Sequence, residues 1–366
     1  MNKKVIIFGT RAEFIKLIPI FNEIKKREIA ENFVAVYTGQ HADLNAELFG
    51  WFDFQPDFTI ALKNHNNSLS YSYAYILVEI QKVIDEIQKT NKIGVVLGQG
   101  DTTSCVASAM CAFFNEIPFG HIEAGLRTND LKNPYPEEYF CKIISLTSTI
   151  HFAPTLIAQE NLLKEGIKKE NILLTGNTIV DSIELIKTKK INLENSVVFK
   201  KNTTNCILIT CHRRENQNDS FNKLIDNIKQ LAEENTLFNF IWLSHTTPFI
   251  ERELNEDKFK QHKNISILPP LNVFELYKLY ENTRLIITDS GGLQEEAPSF
   301  NIPVIVIRES TERVESIKLG YSSTINQNDL VAVFTELKDR KVVDMVNPYG
   351  DGKAAERIVN YLKTIG

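Results

Sequence analysis

The sequence predicts an α/β protein of two domains, each built on a parallel β-sheet covered by helices on both faces. Three observations predict it. Short, almost wholly apolar runs recur along the chain, segments of helical spacing separate them, and the runs fall into two groups of similar size. A strand buried on both faces reads as a continuous apolar run, and its alternation with helices marks βαβ units.

The strands expected in the first half are residues 5–8, 33–37, 94–97, 119–122, 150–152 and 172–174. Those of the second half are residues 206–210, 238–243, 265–268, 285–288 and 303–307. Residues 73–89, 104–114, 156–165 and 221–233 carry apolar side chains three and four apart and are expected as helices. Residues 181–204 are rich in Lys and Asn and poor in apolar pattern, so they read as a helix plus linker. The domains are therefore expected at residues 1–180 and 181–353, with an amphipathic helix at 354–366 returning to the first. For 366 residues, two domains also match the common size of about 100–200 residues each.

Composition narrows the function. The chain is 43% hydrophobic and 24% charged, ordinary for a soluble enzyme, and its net charge of −5 opposes bulk binding to nucleic acid or to an anionic membrane. Five cysteines, with no C-x-x-C spacing, predict neither a disulfide framework nor a zinc site, and fit a reducing, cytoplasmic setting. The apolar run after Lys4 is too short for a signal peptide, and nothing approaches the ~20 apolar residues of a membrane-spanning helix.

In open parallel sheets ligands bind outside the carboxyl ends of the strands. Polar residues crowd those positions. Gly9, Thr10 and Arg11 follow the first strand; Thr38, Gly39, Gln40 and His41 the second; Gly98, Gln99, Gly100 and Asp101 the third; and Glu123 the fourth. In the second half, His212, Arg213 and Arg214 follow residues 206–210, and Asp289, Ser290, Gly291 and Gly292 follow residues 285–288. A shared cleft lined by these loops is expected.

Each motif has a structural and a functional reading. Ser290, Gly291 and Gly292 at the start of a helix form either a capped turn or a diphosphate cradle of backbone N–H groups. Glu295 and Glu296 are expected in that helix's first turn, where one balances the dipole and the other can accept ribose hydroxyls. Asp101, Glu123 and Glu137 follow successive elements of the first domain. Clustered carboxylates drive their pKa values apart and so supply an acid and a base. Asp101 has an N-cap as its structural reading and Glu137 a first-turn dipole pairing, whereas Glu123 has no evident structural role. His212, with Arg213 beside it, suits phosphate binding or proton transfer, and His245 also stands at a strand end. Arg11 is a candidate phosphate clamp. No G-x-G-x-x-G or Walker loop follows a strand, so neither NAD nor ATP is expected, and no His pairing predicts a metal.

Taken together, these motifs resemble the non-hydrolysing UDP-N-acetylglucosamine 2-epimerases of bacteria. The resemblance runs from Phe8–Glu13 with Lys16, through Thr38–His41, Gly100–Thr103, His121–Thr128, Pro136–Glu138 and His151–Thr155. It continues through Thr175–Thr178, His212–Glu215, Thr288–Ser299, Thr311–Arg313 and Asn347–Gly352. It implies two Rossmann-like domains in a glycosyltransferase-B-like (GT-B-like) arrangement around a central cleft, a homodimer, and no cofactor. It also implies elimination of UDP from UDP-N-acetylglucosamine to a 2-acetamidoglucal, followed by re-addition with a proton on the opposite face. Asp101, Glu123 and Glu137 would be the acid/base groups. His212, Arg11 and Lys16 would lie at the diphosphate, Ser290, Gly291 and Gly292 at phosphate oxygens, Glu296 at the ribose, and Arg213 and Arg313 among the substrate contacts. Gln40 and His41, with His245, would match a second, activating UDP-N-acetylglucosamine site.

The chain departs from the family pattern at Ala12, where proline is usual, and at Cys141 and Asn66, where arginine is usual. Ala12 resembles the hydrolysing branch, which releases N-acetylmannosamine and UDP. That reaction, a GT-B glycosyltransferase and a non-catalytic nucleotide-sugar sensor are the competing readings.

Overall fold

Every apolar run expected as a strand lies on one. The computed structural model describes residues 2–40, 42–61, 68–194, 196–198, 203–213, 216–308, 311–325, 329–340 and 346–365. They form two compact units, Met1–Leu185 with Tyr349–Gly366 and Ile186–Pro348.

The first unit runs β1 (Asn2–Phe8), α1 (Arg11–Lys26), β2 (Phe33–Tyr37), α2 (Ala42–Phe52), β3 (Phe58–Thr59), α3 (Leu69–Gln88), β4 (Lys92–Gln99) and α4 (Thr103–Phe114). It continues β5 (Phe119–Ile122), α5 (Glu137–Thr147), β6 (Ile150–Ala153), α6 (Leu156–Lys164), β7 (Ile172–Leu174) and α7 (Thr178–Lys187). Its sheet has the order β3-β2-β1-β4-β5-β6-β7, with every pair parallel. The second unit runs β8 (Cys206–Thr210), α8 (Asp219–Glu234), β9 (Asn239–Leu243), α9 (Pro248–Glu253), β10 (Ile265–Leu268), α10 (Val273–Tyr280) and β11 (Thr283–Thr288). Then come α11 (Gly291–Glu296), β12 (Val304–Val306), α12 (Val314–Lys318), β13 (Ser322–Thr324) and α13 (Leu330–Leu337). Its parallel sheet has the order β10-β9-β8-β11-β12-β13.

Both orders reverse direction once, at β1/β4 and at β8/β11. A reversal leaves neighbouring loops pointing apart and opens a crevice at the carboxyl ends of the strands. The cores explain why the strands are apolar on both faces. Val5–Phe8 and Val95–Leu97 have no exposed surface, nor have Ile207–Ile209 and Leu285–Ile287. Phe8 packs among Phe14, Phe21, Tyr37, Phe49 and Phe54, while Trp242 and Phe240 fill the second core.

Two strands escape sequence patterning. β3 has only two residues, and β13 is the edge strand Ser322, Ser323, Thr324, whose polar residues are tolerated because it pairs on one side with β12. The last helix, α14 (Ala354–Thr364), packs on the first unit as expected. Asp181 of α7 caps it, accepting from the backbone N–H of Ala354 at 3.2 Å and of Ala355 at 2.9 Å. Arg357 donates to the Thr175 carbonyl, and Tyr361 meets Phe152 edge-on. Among the described residues no helix is long and apolar enough to cross a membrane. The five cysteines are buried.

Asp181→Ala should strip both N–H partners from α14. The expected loss is about 1 kcal/mol, seen as roughly fivefold faster amide exchange along α14 with the second unit unchanged.

Candidate active site

The loops after β1, β4 and β5 carry the acidic groups of the first unit. Thr10 caps α1, and Glu13 completes a capping box by accepting from the backbone N–H of Gly9 at 2.9 Å and of Thr10 at 2.7 Å. Gly9 has no alternative here. A Cβ would fall 2.1 Å from the hydroxyls of Thr38 and Ser104, which bond to each other at 2.7 Å. Ser104 also donates to the Gln40 side-chain oxygen at 2.8 Å. His41 and Asn66 lie outside the described residues.

Glu123 sits where β5 ends, in the left-handed region at φ 69°. Its N–H and that of Ala124 both bond the Phe152 carbonyl at 3.1 Å. The turn drives its carboxylate inward, where Lys16 of α1 meets both oxygens at 2.7 and 2.6 Å and the Gln99 side-chain amide donates to Oε2. The expectation that Glu123 lacks a structural role is therefore corrected. It is 6% exposed and forms a buried ion pair with Lys16, which is 9% exposed. Removing either partner would strand a buried charge. Lys16, placed near a diphosphate by resemblance, bonds this carboxylate.

Asp101 stands in the turn after β4. It is not the N-cap of α4. Thr102 is, accepting from the Cys105 N–H at 3.0 Å and donating to Glu13 Oε1 at 2.6 Å. Burial raises the Cys105 thiol well above its ordinary range, and the charges of Glu13, Asp101 and Glu123 add to that rise. Burial also raises Glu13 to about 7, outweighing the Thr102, Gly9 and Thr10 bonds that lower it. Glu137 opens α5 beside Glu138. Glu138 turns inward and accepts from the N–H groups of Thr128 at 2.8 Å and Asn129 at 3.1 Å, locking the loop that leads to α5. Glu137 remains partly exposed on the same turn, Arg11 is partly exposed at the start of α1, and Cys141 is buried.

In the second unit the loops after β8 and β11 are bound together by Asp289, whose carboxylate is fully buried. It accepts from the backbone N–H of His212 at 3.0 Å and of Arg213 at 2.9 Å, and from Asn216 at 2.9 Å. His212 Nδ1 lies 3.4 Å from the same carboxylate, and the His245 ring stacks on His212 at 5.2 Å. Burial, then His212, lowers the pKa of His245. Ser290 is the N-cap of α11, and its side chain makes no capping bond. Gly291 is glycine because the Arg313 guanidinium lies behind it, 2.9 Å from where a Cβ would sit, whereas a Cβ on Gly292 would make only ordinary contact.

Arg313 bonds Glu295 at 2.8 and 2.6 Å and also pairs with Glu312. Arg308 pairs with Glu312 at 3.1 Å. Burial opposes ionisation of Glu312, yet Arg313, Arg308 and Arg213 together lower it to about 2. Arg213 also donates from Nε to the Asp289 carbonyl at 3.0 Å. The expected first-turn placement of Glu295 and Glu296 is corrected. They are the last residues of α11, beyond its first turn, and Glu296 accepts from the Tyr280 hydroxyl at 2.8 Å.

A family model described as UDP-N-acetylglucosamine 2-epimerase matches residues 22–363. The chain belongs to the UDP-N-acetylglucosamine 2-epimerase family. It is 35% identical to the UDP-N-acetylglucosamine 2-epimerase of Salmonella borreze, over 100% of this chain and 99% of that one. It is also 35% identical to the Campylobacter jejuni enzyme of the same name, over 99% of this chain and 97% of that one. The crystal structure of the Neisseria meningitidis UDP-GlcNAc 2-epimerase bound to UDP-GlcNAc superposes with a TM-score of 0.89 at 31% identity, covering 99% and 100% of the two chains. That of Methanocaldococcus jannaschii, in complex with UDP-GlcNAc and UDP, gives 0.85 at 33% identity over 100% of each. The family is one of isomerases, and its solved members share the GT-B-like fold of two parallel-sheet α/β domains.

Sequence reasoning about this epimerase family member missed Glu13, Gln99 and the anchoring role of Asp289. Glu13 had a legible signal, the Thr10-x-x-Glu13 capping box. Gln99 and Asp289 had none beyond their places at strand ends. Among the described residues no three His, Cys, Asp or Glu side chains are arranged to hold a metal ion.

Because Glu13 keeps its proton to about pH 7 when folded, against an ordinary value of 4.5, its contribution to stability falls between those values as pH rises. Glu13→Gln removes that fall. The variant's unfolding midpoint, relative to wild type, should therefore rise as pH is raised from about 5 to about 7.

Proposed function

We propose that this protein interconverts UDP-N-acetylglucosamine and UDP-N-acetylmannosamine without hydrolysis. A base removes the proton from C2, and the C1–oxygen bond breaks with its electron pair leaving on UDP, giving 2-acetamidoglucal. UDP then attacks C1 again while an acid delivers a proton to the other face of C2. The two half-reactions balance without any oxidant or reductant, so no nicotinamide cofactor is needed.

The observation that carries this reading is the buried Lys16–Glu123 ion pair at the carboxyl edge of the first sheet, where the Gln99 side chain at the end of β4 bonds the same carboxylate and Asp101 follows two residues on. In this proposal Asp101, Glu123 and Glu137 share the acid and base roles. Arg11 and His212 oppose the charge of departing UDP, and Ser290, Gly291 and Gly292 offer the α11 N-terminus to phosphate oxygens. Glu296 receives the ribose hydroxyls. Arg313 supports the cradle from behind Gly291, and Arg213 braces the loop after β8 through Asp289.

The family resemblance further supports a cytoplasmic homodimer that supplies surface polysaccharide synthesis and takes a second UDP-N-acetylglucosamine as activator. The apolar side chains of Val78, Phe113, Phe114 and Leu146, exposed on α3, α4 and α5, fit a subunit interface. Ala12 favours a second reading, hydrolysis to N-acetylmannosamine and UDP.

Proton NMR of the reaction in deuterium oxide separates the two. Epimerisation should yield UDP-N-acetylmannosamine with deuterium at C2, whereas free sugar and UDP appearing in equal amounts would replace it with hydrolysis. Glu123→Gln strands the Lys16 charge at a cost of about 3–5 kcal/mol in stability; the folded variant should still retain UDP and lose more than about tenfold in turnover, the usual scale for a general acid–base group. Turnover above a tenth of wild type would remove Glu123 from the reaction. Arg11→Ala should chiefly weaken UDP binding in calorimetry, by about tenfold for one lost charge-assisted contact. An unchanged affinity would contradict the clamp.

A further inference from the structure

His121 lies on β5 two residues before Glu123 and has no exposed surface. Its Nε2 is 2.8 Å from the Gly100 carbonyl oxygen. A carbonyl only accepts, so the imidazole must carry its hydrogen on Nε2. Nδ1 is buried with no hydrogen-bond partner among the described residues. An added proton there would bury both an unsatisfied donor and a charge. Burial accordingly lowers the ring's pKa to about 3, against the Gly100 bond, and the neighbouring His151 and Arg127 lower it further. His121 is thus a neutral, single-tautomer donor.

The bond it makes has a particular target. The Gly100 carbonyl belongs to the peptide plane whose N–H is that of Asp101. Around this plane the Gly100 N–H bonds the Ile122 carbonyl at 3.0 Å, Gly100 takes φ 74°, and Thr102 is tied to Glu13. The carbonyl is a further handle on the turn, and its donor resists rotation of the plane that would swing Asp101 with it.

We propose that His121 is a positioning residue: by donating from Nε2 to the Gly100 carbonyl it fixes the peptide that carries Asp101, and so aims the Asp101 carboxylate for proton transfer. This rests on Asp101 as an acid/base group of the epimerase reaction. His151, its partner across β5 and β6, makes no such bond to the turn.

The test uses His121→Leu, His121→Gln and Asp101→Asn in the full chain, with kcat, KM, C2 deuterium exchange and UDP affinity measured for each. His121→Leu should keep UDP affinity and KM while kcat falls about 10- to 100-fold, the cost of a misplaced reacting group. His121→Gln, whose amide nitrogen can reach the same carbonyl, should recover most of that loss. Nitrogen-15 NMR of histidine-labelled wild type should show His121 neutral and protonated on Nε2 from about pH 8 to about pH 5. That spectrum decides the matter even if His121→Leu does not fold. A His121→Leu enzyme within about twofold of wild type, a His121→Gln enzyme no better than the Leu variant, or a proton found on Nδ1 would overturn the proposal. Asp101→Asn separates the two ideas. If it keeps exchanging C2, the role of Asp101 falls and positioning falls with it. If it is inactive while His121→Leu is not, only the positioning is lost.

Discussion

The Lys16–Glu123 ion pair joins the second turn of α1 to the residue that ends β5, and it exists because β1, β4 and β5 lie side by side. Parallel strands all present their carboxyl ends to one edge, so the loops that follow them converge there. Glu123 pays for its place twice, in desolvation and in a left-handed backbone that a non-glycine residue rarely adopts. An apolar pair would pack this position at lower cost.

The second unit solves a related problem with a different residue. Asp289 follows β11 and gathers the backbone of His212 and Arg213 from the loop after β8. Glu13 does the corresponding work in the first unit, gathering Gly9 and Thr10 from the loop after β1 and binding Thr102 from the loop after β4. In both units a buried carboxylate ties together the loops on either side of the reversal. Each tie satisfies backbone N–H groups that would otherwise be orphaned, and holds the two loops to each other. The buried network of Arg313, Glu295, Glu312 and Arg308 stiffens the ground behind Gly291 in the same spirit. It assigns Arg313 a supporting place that its motif alone did not indicate.

The sequence by itself determined the two parallel sheets, because burial on both faces writes itself locally as apolar runs, and it determined which loops hold polar chemistry. It placed Asp101, Glu123, His212 and Ser290 at strand ends from spacing alone. It did not reveal β13, whose polar edge carries no apolar run, nor that Thr102 rather than Asp101 caps α4. Tertiary structure alone decided the partners. Lys16 and Glu123 are 107 residues apart, and His212 and Asp289 are 77 apart. No periodicity connects such pairs; only the strand order brings them together. The same holds for His121, whose bond to Gly100 depends on the pairing of β4 with β5. Residue type and local pattern set what each loop could do, and long-range strand pairing set which groups do it together.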